Sequence, residues 1–203
     1  MQRVFNDIHE KAAEAASGYT ISIEHLLQQG FNIFRKAPAE LILYGIVYLL
    51  VFSNPVTGII FGGPAIMGFF ILANKIDRGE KIGINDFTLS FNNYFQLFTL
   101  NLLMVIIISA GTLLLILPGL YFAISYIFSW FFSWFYSVEA AEALRLSRRV
   151  VSGNFWQIAL LCLVLVCLLI LGGMAFGIGI LLALPLVFCV IYAAFNDIIG
   201  INQ

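Results

Sequence analysis

The chain has 203 residues, 62% of them hydrophobic and only 10% charged, against roughly 25% charged in a soluble domain. A formal net charge of −1 supplies no basic face and excludes nucleic acid as a partner class. The length suits one membrane domain.

The placement of the charges says more than their number. Leu41 to Asn74 (34 residues), Phe87 to Val138 (52) and Val150 to Asn196 (47) carry none. One bilayer crossing takes roughly 20 apolar residues, because the hydrocarbon is about 30 Å thick and a helix rises about 1.5 Å per residue. Each stretch therefore holds about two crossings, and a pair of crossings returns the chain to the side it left. The expected fold is all-α: a polytopic membrane helix bundle of about six transmembrane helices in three hairpin units, with cytoplasmic amphipathic helices.

Residues 1–37 read as two amphipathic helices. In the first, Val4, Phe5, Ile8, Ala12 and Ala15 recur at three- and four-residue spacing, and Gly18 is the expected stop. In the second, Ile23, Leu26, Leu27, Gly30, Phe31 and Phe34 share one face. Glu24, His25, Gln28, Gln29, Asn32, Arg35 and Lys36 fill the other. That pattern predicts an interfacial helix with its apolar face toward acyl chains. No signal peptide is expected, since these polar segments precede the first apolar run.

Residues 38–203 form the expected transmembrane domain, in units of about 38–83, 84–137 and 138–198. Its spans fall at about 38–53, 56–74, 94–116, 118–137, 155–175 and 178–196. Pro38 suits the first turn of the first span, where its missing N–H costs nothing. The first two spans are short, and a re-entrant hairpin is their alternative. Every Lys and Arg lies in the inner segments and none in the outer turns near Ser53–Thr57, Leu117–Gly119 and Gly172–Gly179. By the positive-inside rule both termini are cytoplasmic, in the cell membrane, or the inner one of a Gram-negative cell. Trp134 and Trp156 suit an interfacial aromatic belt, and Trp130 packs between helices.

An internal repeat accompanies this plan. Asn93-Tyr94-Phe95-Gln96-Leu97 recurs as Asn154-Phe155-Trp156-Gln157-Ile158, each opening an apolar run that later reaches a Leu-Pro step. Ala37-Pro38-Ala39-Glu40-Leu41 echoes it weakly. Repeats of this kind build pseudo-symmetric bundles.

The run Glu142-Ala143-Leu144-Arg145-Leu146-Ser147-Arg148-Arg149, then Gly153-Asn154-Phe155-Trp156, resembles a signature of bacterial six-span membrane proteins. These are related to the membrane domain attached to some glycerophosphoryl diester phosphodiesterases. Leu117-Pro118-Gly119 before it, and Gly177 to Pro185 with Tyr192 and Asp197 after it, fit the same pattern over roughly residues 20 to 200. The resemblance implies a six-span domain without a settled activity. The phosphodiesterase barrel and its metal-binding carboxylates have no counterpart here, so catalysis does not carry over.

Three kinds of residue are candidates for function. The first are cations: Arg35 and Lys36; Lys75, Arg78 and Lys81; Arg145, Arg148 and Arg149. They are expected at one depth on the cytoplasmic surface, where an anionic headgroup stabilises each by about 1 kcal/mol. Their other reading is topogenic charge and local pairing, as of Glu142 with Arg145. The second are small or polar residues within spans. Ser125, Ser129, Ser133 and Ser137 make a stripe at four-residue spacing, and Gly58 with Gly62 and Gly173 with Gly177 are further close-contact sites. Asn101 is expected to hydrogen-bond between helices. Packing is the first reading for these residues and a polar lining for a substrate path the second. The third are Pro64 and Pro185 inside return spans, where kinks are expected, with a broken-helix site as the alternative.

The helix after the fourth span, with Ser137 as N-cap and Gly153 as stop, offers a docking face of Ala140, Ala143, Leu144, Ser147 and Val151. Cys162, Cys167 and Cys189 lie in apolar runs without metal-ligand spacing and read as small hydrophobes. His9 and His25 read as facing water. No nucleophile–base pair, phosphate loop or carboxylate dyad is present, so no catalytic, cofactor or metal residue is expected. The expected function is a non-catalytic membrane scaffold, accessory subunit or assembly factor. Its partners would be the lipid bilayer, with anionic phospholipids, and a membrane protein or a second copy. The alternative is a carrier or scramblase for a lipid or other apolar molecule.

Overall fold

A computed structural model of the protein describes residues 2–174 and 179–201, with side chains from residue 7 onward. Among the described residues all regular structure is helical. α1 (Gln2–Ala16) stops before Gly18, whose φ of +120° suits only glycine. α2 (Ile23–Lys36) is capped by Ser22, whose hydroxyl accepts the His25 N–H. Pro38 opens α3 (Pro38–Phe52) in its first turn, as its position predicts. Asn54 caps α4 (Pro55–Asp77) by accepting the Val56 N–H at 2.9 Å. A 3-10 run (Ile84–Asn93) leads into α5 (Tyr94–Leu114). α6 (Ile116–Ser125), α7 (Ser129–Phe135), α8 (Ala140–Gly153), α9 (Phe155–Met174) and α10 (Ile180–Ile198) follow.

Among the described residues five segments are long and apolar enough to cross a membrane: Pro55–Asp77, Ile84–Leu114, Ile116–Phe135, Phe155–Met174 and Ile180–Ile198. The helix at the expected first span, α3, has 15 residues and is about 22 Å long, less than the hydrocarbon thickness of about 30 Å. α3 packs on α4, α5 on α6 and α9 on α10.

The repeated Asn-aromatic-aromatic-Gln run performs one task twice. α5 begins at Tyr94 and α9 at Phe155, the same place in each copy. Gln96 Nε2 donates to the Ser133 and Val138 carbonyls at 3.0 and 2.8 Å, holding the turn after α7. Gln157 Oε1 accepts the Ile21 N–H at 2.9 Å, holding the link between α1 and α2. Ala37 before α3 and Asn154 before α9 share one backbone geometry, φ/ψ of −147°/61° and −151°/64°.

The core is a column of phenylalanine rings where α4, α7 and α10 meet. Phe131 lies between Phe70 and Phe195 with ring centroids 4.3 Å away on each side, and Phe69 stacks on Phe188 at 4.4 Å. Such pairs contribute about 0.5–1.5 kcal/mol each beyond area burial.

Several features depart from expectation. The fourth span is two helices, broken at residues 126–128. The mid-helix Ser147 of α8 fills the break: its hydroxyl donates to the Ser125 carbonyl and accepts the Phe128 N–H. Secondly, α2 turns Leu26 and Gly30 of its expected apolar face into the bundle, together with Ile33, while Phe31 of that face stays exposed. A Cβ at Gly30 would meet the Val190 backbone of α10, so only glycine permits that approach. Thirdly, the face of α8 offered for docking is covered. Ser147 and Leu144 point into the bundle, and α1 lies on α8 with Ile8, Ala12 and Ala15 buried. Gly153 packs against the Ala15 carbonyl so closely that a Cβ there would overlap it. His9, expected to face water, lies 3.8 Å from Glu142 across this contact. The cap of α8 is Glu139, not Ser137, which sits in the preceding turn at φ +53°.

Candidate functional site

The cation clusters separate into unlike surroundings. Lys75 Nζ bonds Asp86 Oδ1 at 2.7 Å, and that carboxylate also accepts the Gly83 N–H at 2.8 Å, so this pair fixes the turn ahead of α5. Lys36 donates to the Asp77 carbonyl at 3.5 Å. Lys36 and Lys81 share a cleft with Glu40 and Glu80, whose carboxylates offset its attraction for anions. Arg35 stands 5.9 Å from the Phe31 ring. Arg78 supplies its backbone N–H as the cap of α4.

Arg145 and Arg148 are placed differently. They are one helical turn apart on α8, both exposed, and both line a groove of about 230 Å³ against α5 and the α6–α7 break. Its apolar walls are Leu103, Ile107, Tyr126 and Leu144. The Arg148 guanidinium lies over the Tyr121 ring at 5.7 Å, and the Tyr121 and Phe155 rings pack at 5.3 Å. Arg145 meets Glu142 at 3.4 Å, while Arg148 makes no ion pair among the described residues. A second cavity of about 540 Å³ shares Leu103 and Ala141, continues along Phe95 and Thr99, and ends at Glu139. Arg149 is exposed but outside this lining. A guanidinium presents a rigid donor fork to phosphate or carboxylate. Two such forks above an apolar wall match a molecule with an anionic head and a hydrocarbon body.

The serine stripe is packing. Ser125, Ser129 and Ser133 are at most 1% exposed, and the Ser129 and Ser133 hydroxyls have no partner among the described residues. Their small size admits the neighbouring rings. Asn101 bonds between helices as expected: Nδ2 donates to the Gly58 and Ile59 carbonyls at 3.2 and 2.9 Å. A Cβ at Gly62 would stand 3.0 Å from the Phe52 ring and 3.2 Å from Asn101, and one at Gly58 would stand 3.3 Å from Phe52. No described residue would meet a Cβ at Gly173, and the close contact among the described residues is at its neighbour Gly172, which faces Ala183 and Gly179. Gly177 lies outside the described residues.

Neither proline opens a site. Pro64 leaves the Ile60 carbonyl without its helical donor, and the Tyr94 hydroxyl supplies one at 3.1 Å. Pro185 is buried, facing Gly45 of α3. Helices α4 and α10 run through both.

Sequence reasoning missed Leu103, Ile107, Tyr121 and Tyr126, because the contact between α5 and α8 leaves no local pattern. The i,i+3 spacing of Arg145 and Arg148 was the available signal. It also missed Gly63, which abuts the Leu97 carbonyl of α5.

No protein-family model, curated protein or solved structure matches this chain.

Proposed function

We propose that the protein crosses the membrane six times in three hairpin units, with both termini in the cytoplasm, and acts by contact. It serves as a scaffold, accessory subunit or assembly factor for other membrane components and does not pass a substrate through its centre. The phenylalanine column carries this reading: Phe131 stacks on Phe195 and packs at a tilt against Phe70, centroids 4.3 Å apart in each case, where a central path would run. Burial of Ser125, Ser129 and Ser133 supports it, because the polar stripe that a path would need is spent on packing. The shared geometry of Ala37 and Asn154 supports the repeated unit. The likeness at Glu142 to Arg149 is compatible, since it brings no catalytic group. The surfaces available for contact are the apolar outer faces of α3 and α9, where Leu43, Leu50, Leu163 and Leu171 are all more than half exposed.

Crosslinking in native membranes followed by affinity purification tests this. A co-enriched membrane protein or a second copy is the expected result, and recovery of a lone monomer contradicts it. Vesicles containing the protein are expected to show no faster transbilayer movement of labelled lipid. Acceleration would favour the carrier reading instead.

A further inference from the structure

The groove between α5 and α8 sets charge beside an apolar helix. Leu103 and Ile107 belong to the middle third of α5, a helix without an acidic or basic side chain, yet they share a groove with Arg145 and Arg148. A cation held against a spanning helix is costly unless an anion or water compensates it. Among the described residues only Arg145 has a carboxylate at hand, Glu142 at 3.4 Å, and Arg148 rests on an aromatic face instead. One cation of the pair is thus left for an external anion. The walls below it are apolar and would exclude a free, fully hydrated one.

We infer that this groove is a binding site for one phospholipid with an anionic headgroup. Its phosphate lies between Arg145 and Arg148, and one acyl chain runs along Leu103 and Ile107. Charge complementarity selects the head, because two guanidinium forks favour phosphate. The apolar wall selects a lipid over inorganic phosphate. The inference rests on the reading that α5 lies in the bilayer, and it adds a ligand class and a place to that reading. Lys36, Lys75 and Lys81 are not part of the site, since carboxylates or a backbone carbonyl already occupy their surroundings.

Native mass spectrometry of the detergent-purified protein, titrated with phosphatidylglycerol or phosphatidylcholine, tests the site. One retained phosphatidylglycerol is expected, in preference to phosphatidylcholine. Arg145→Gln with Arg148→Gln should weaken retention roughly tenfold or more, with about 1 kcal/mol per cation as the guide. Arg149→Gln should leave it unchanged. Ile107→Trp, which fills the groove without altering charge, should also lower it. All three arginines are exposed, so their variants fold whatever becomes of the tryptophan one. Equal retention of the two lipids, an unaltered double variant, or an equal loss with Arg149→Gln would overturn the site. Membrane fractionation separates this from failure of the wider reading. Protein that pellets with membranes yet shows no preference removes the site alone, whereas protein absent from membranes removes both.

Discussion

The Ser147 hydroxyl donates to the Ser125 carbonyl at 2.7 Å and accepts the Phe128 N–H at 3.2 Å, so one side chain of α8 closes the break between α6 and α7. Both backbone groups are buried, and neither has water to turn to. Ser147→Ala strands them, with an expected loss of about 1–3 kcal/mol. Ser129→Ala and Ser133→Ala, which remove buried hydroxyls without a described partner, should be neutral or slightly stabilising. Thermal unfolding in detergent, followed by circular dichroism, separates the two kinds of serine. Equal losses at all three positions would refute the assignment.

Gly153 holds α1 on α8 because nothing larger than hydrogen fits beside the Ala15 carbonyl. Gly153→Val should lift α1 off and expose Ile8, Ala12 and Ala15. Amide hydrogen exchange over residues 8–16 should quicken by at least about tenfold while the core amides of α4 and α10 stay protected. Unchanged exchange in α1 would show that the contact does not hold it.

Tyr94 and Pro64 form a testable pair, since the tyrosine answers the carbonyl that the proline orphans. Tyr94→Phe should cost about 1 kcal/mol in the native background. In a Pro64→Ala background the backbone N–H at position 64 returns and takes the Ile60 carbonyl, so the same change should cost little. A double-mutant cycle reads the difference directly. A coupling energy of zero would refute it.

Gly172 and Gly173 are adjacent but should respond oppositely to alanine. At Gly172 a Cβ would stand 2.8 Å from the Ala183 methyl and 2.9 Å from the Gly179 carbonyl, and at Gly173 it meets no described residue within 4 Å. Gly172→Ala should destabilise by about 1–3 kcal/mol through overpacking. Gly173→Ala should stabilise by up to about 1 kcal/mol through helix propensity. Chemical unfolding of the two variants in mixed micelles gives the comparison.

What the sequence makes legible is what hydrophobicity and local chemistry control. The charge-free stretches locate the apolar helices, and Pro38, Gly18 and the Asn-aromatic-aromatic-Gln run mark helix ends where the structure has them. Asn101 could be read because a lone amide in an apolar run has to find a partner. The break at residues 126–128 left no signal, since Tyr126, Ile127 and Phe128 neither forbid a helix nor supply a cap. The side chain that satisfies it, Ser147, lies some twenty residues away. The apolar face of α2 is legible only in part: Leu26 and Gly30 are buried as one face, but Ile33 joins them and Phe31 is left exposed, because periodicity cannot distinguish acyl chains from the side of α10. For the same reason α8 looked like a free docking surface until α1 was seen lying on it. The groove at Arg145 and Arg148 needs the α5–α8 contact, which no short-range pattern encodes.

All of these readings assume that the ionic groups share one aqueous side of a bilayer. The direct test replaces Cys162, Cys167 and Cys189, places single cysteines at Arg145, Lys81 or Ser53, and labels intact cells with a membrane-impermeant maleimide. Ser53→Cys, in the outer turn between α3 and α4, should react from outside, while Arg145→Cys and Lys81→Cys should react only after the membrane is opened. Labelling of Arg145→Cys from outside intact cells would contradict the account.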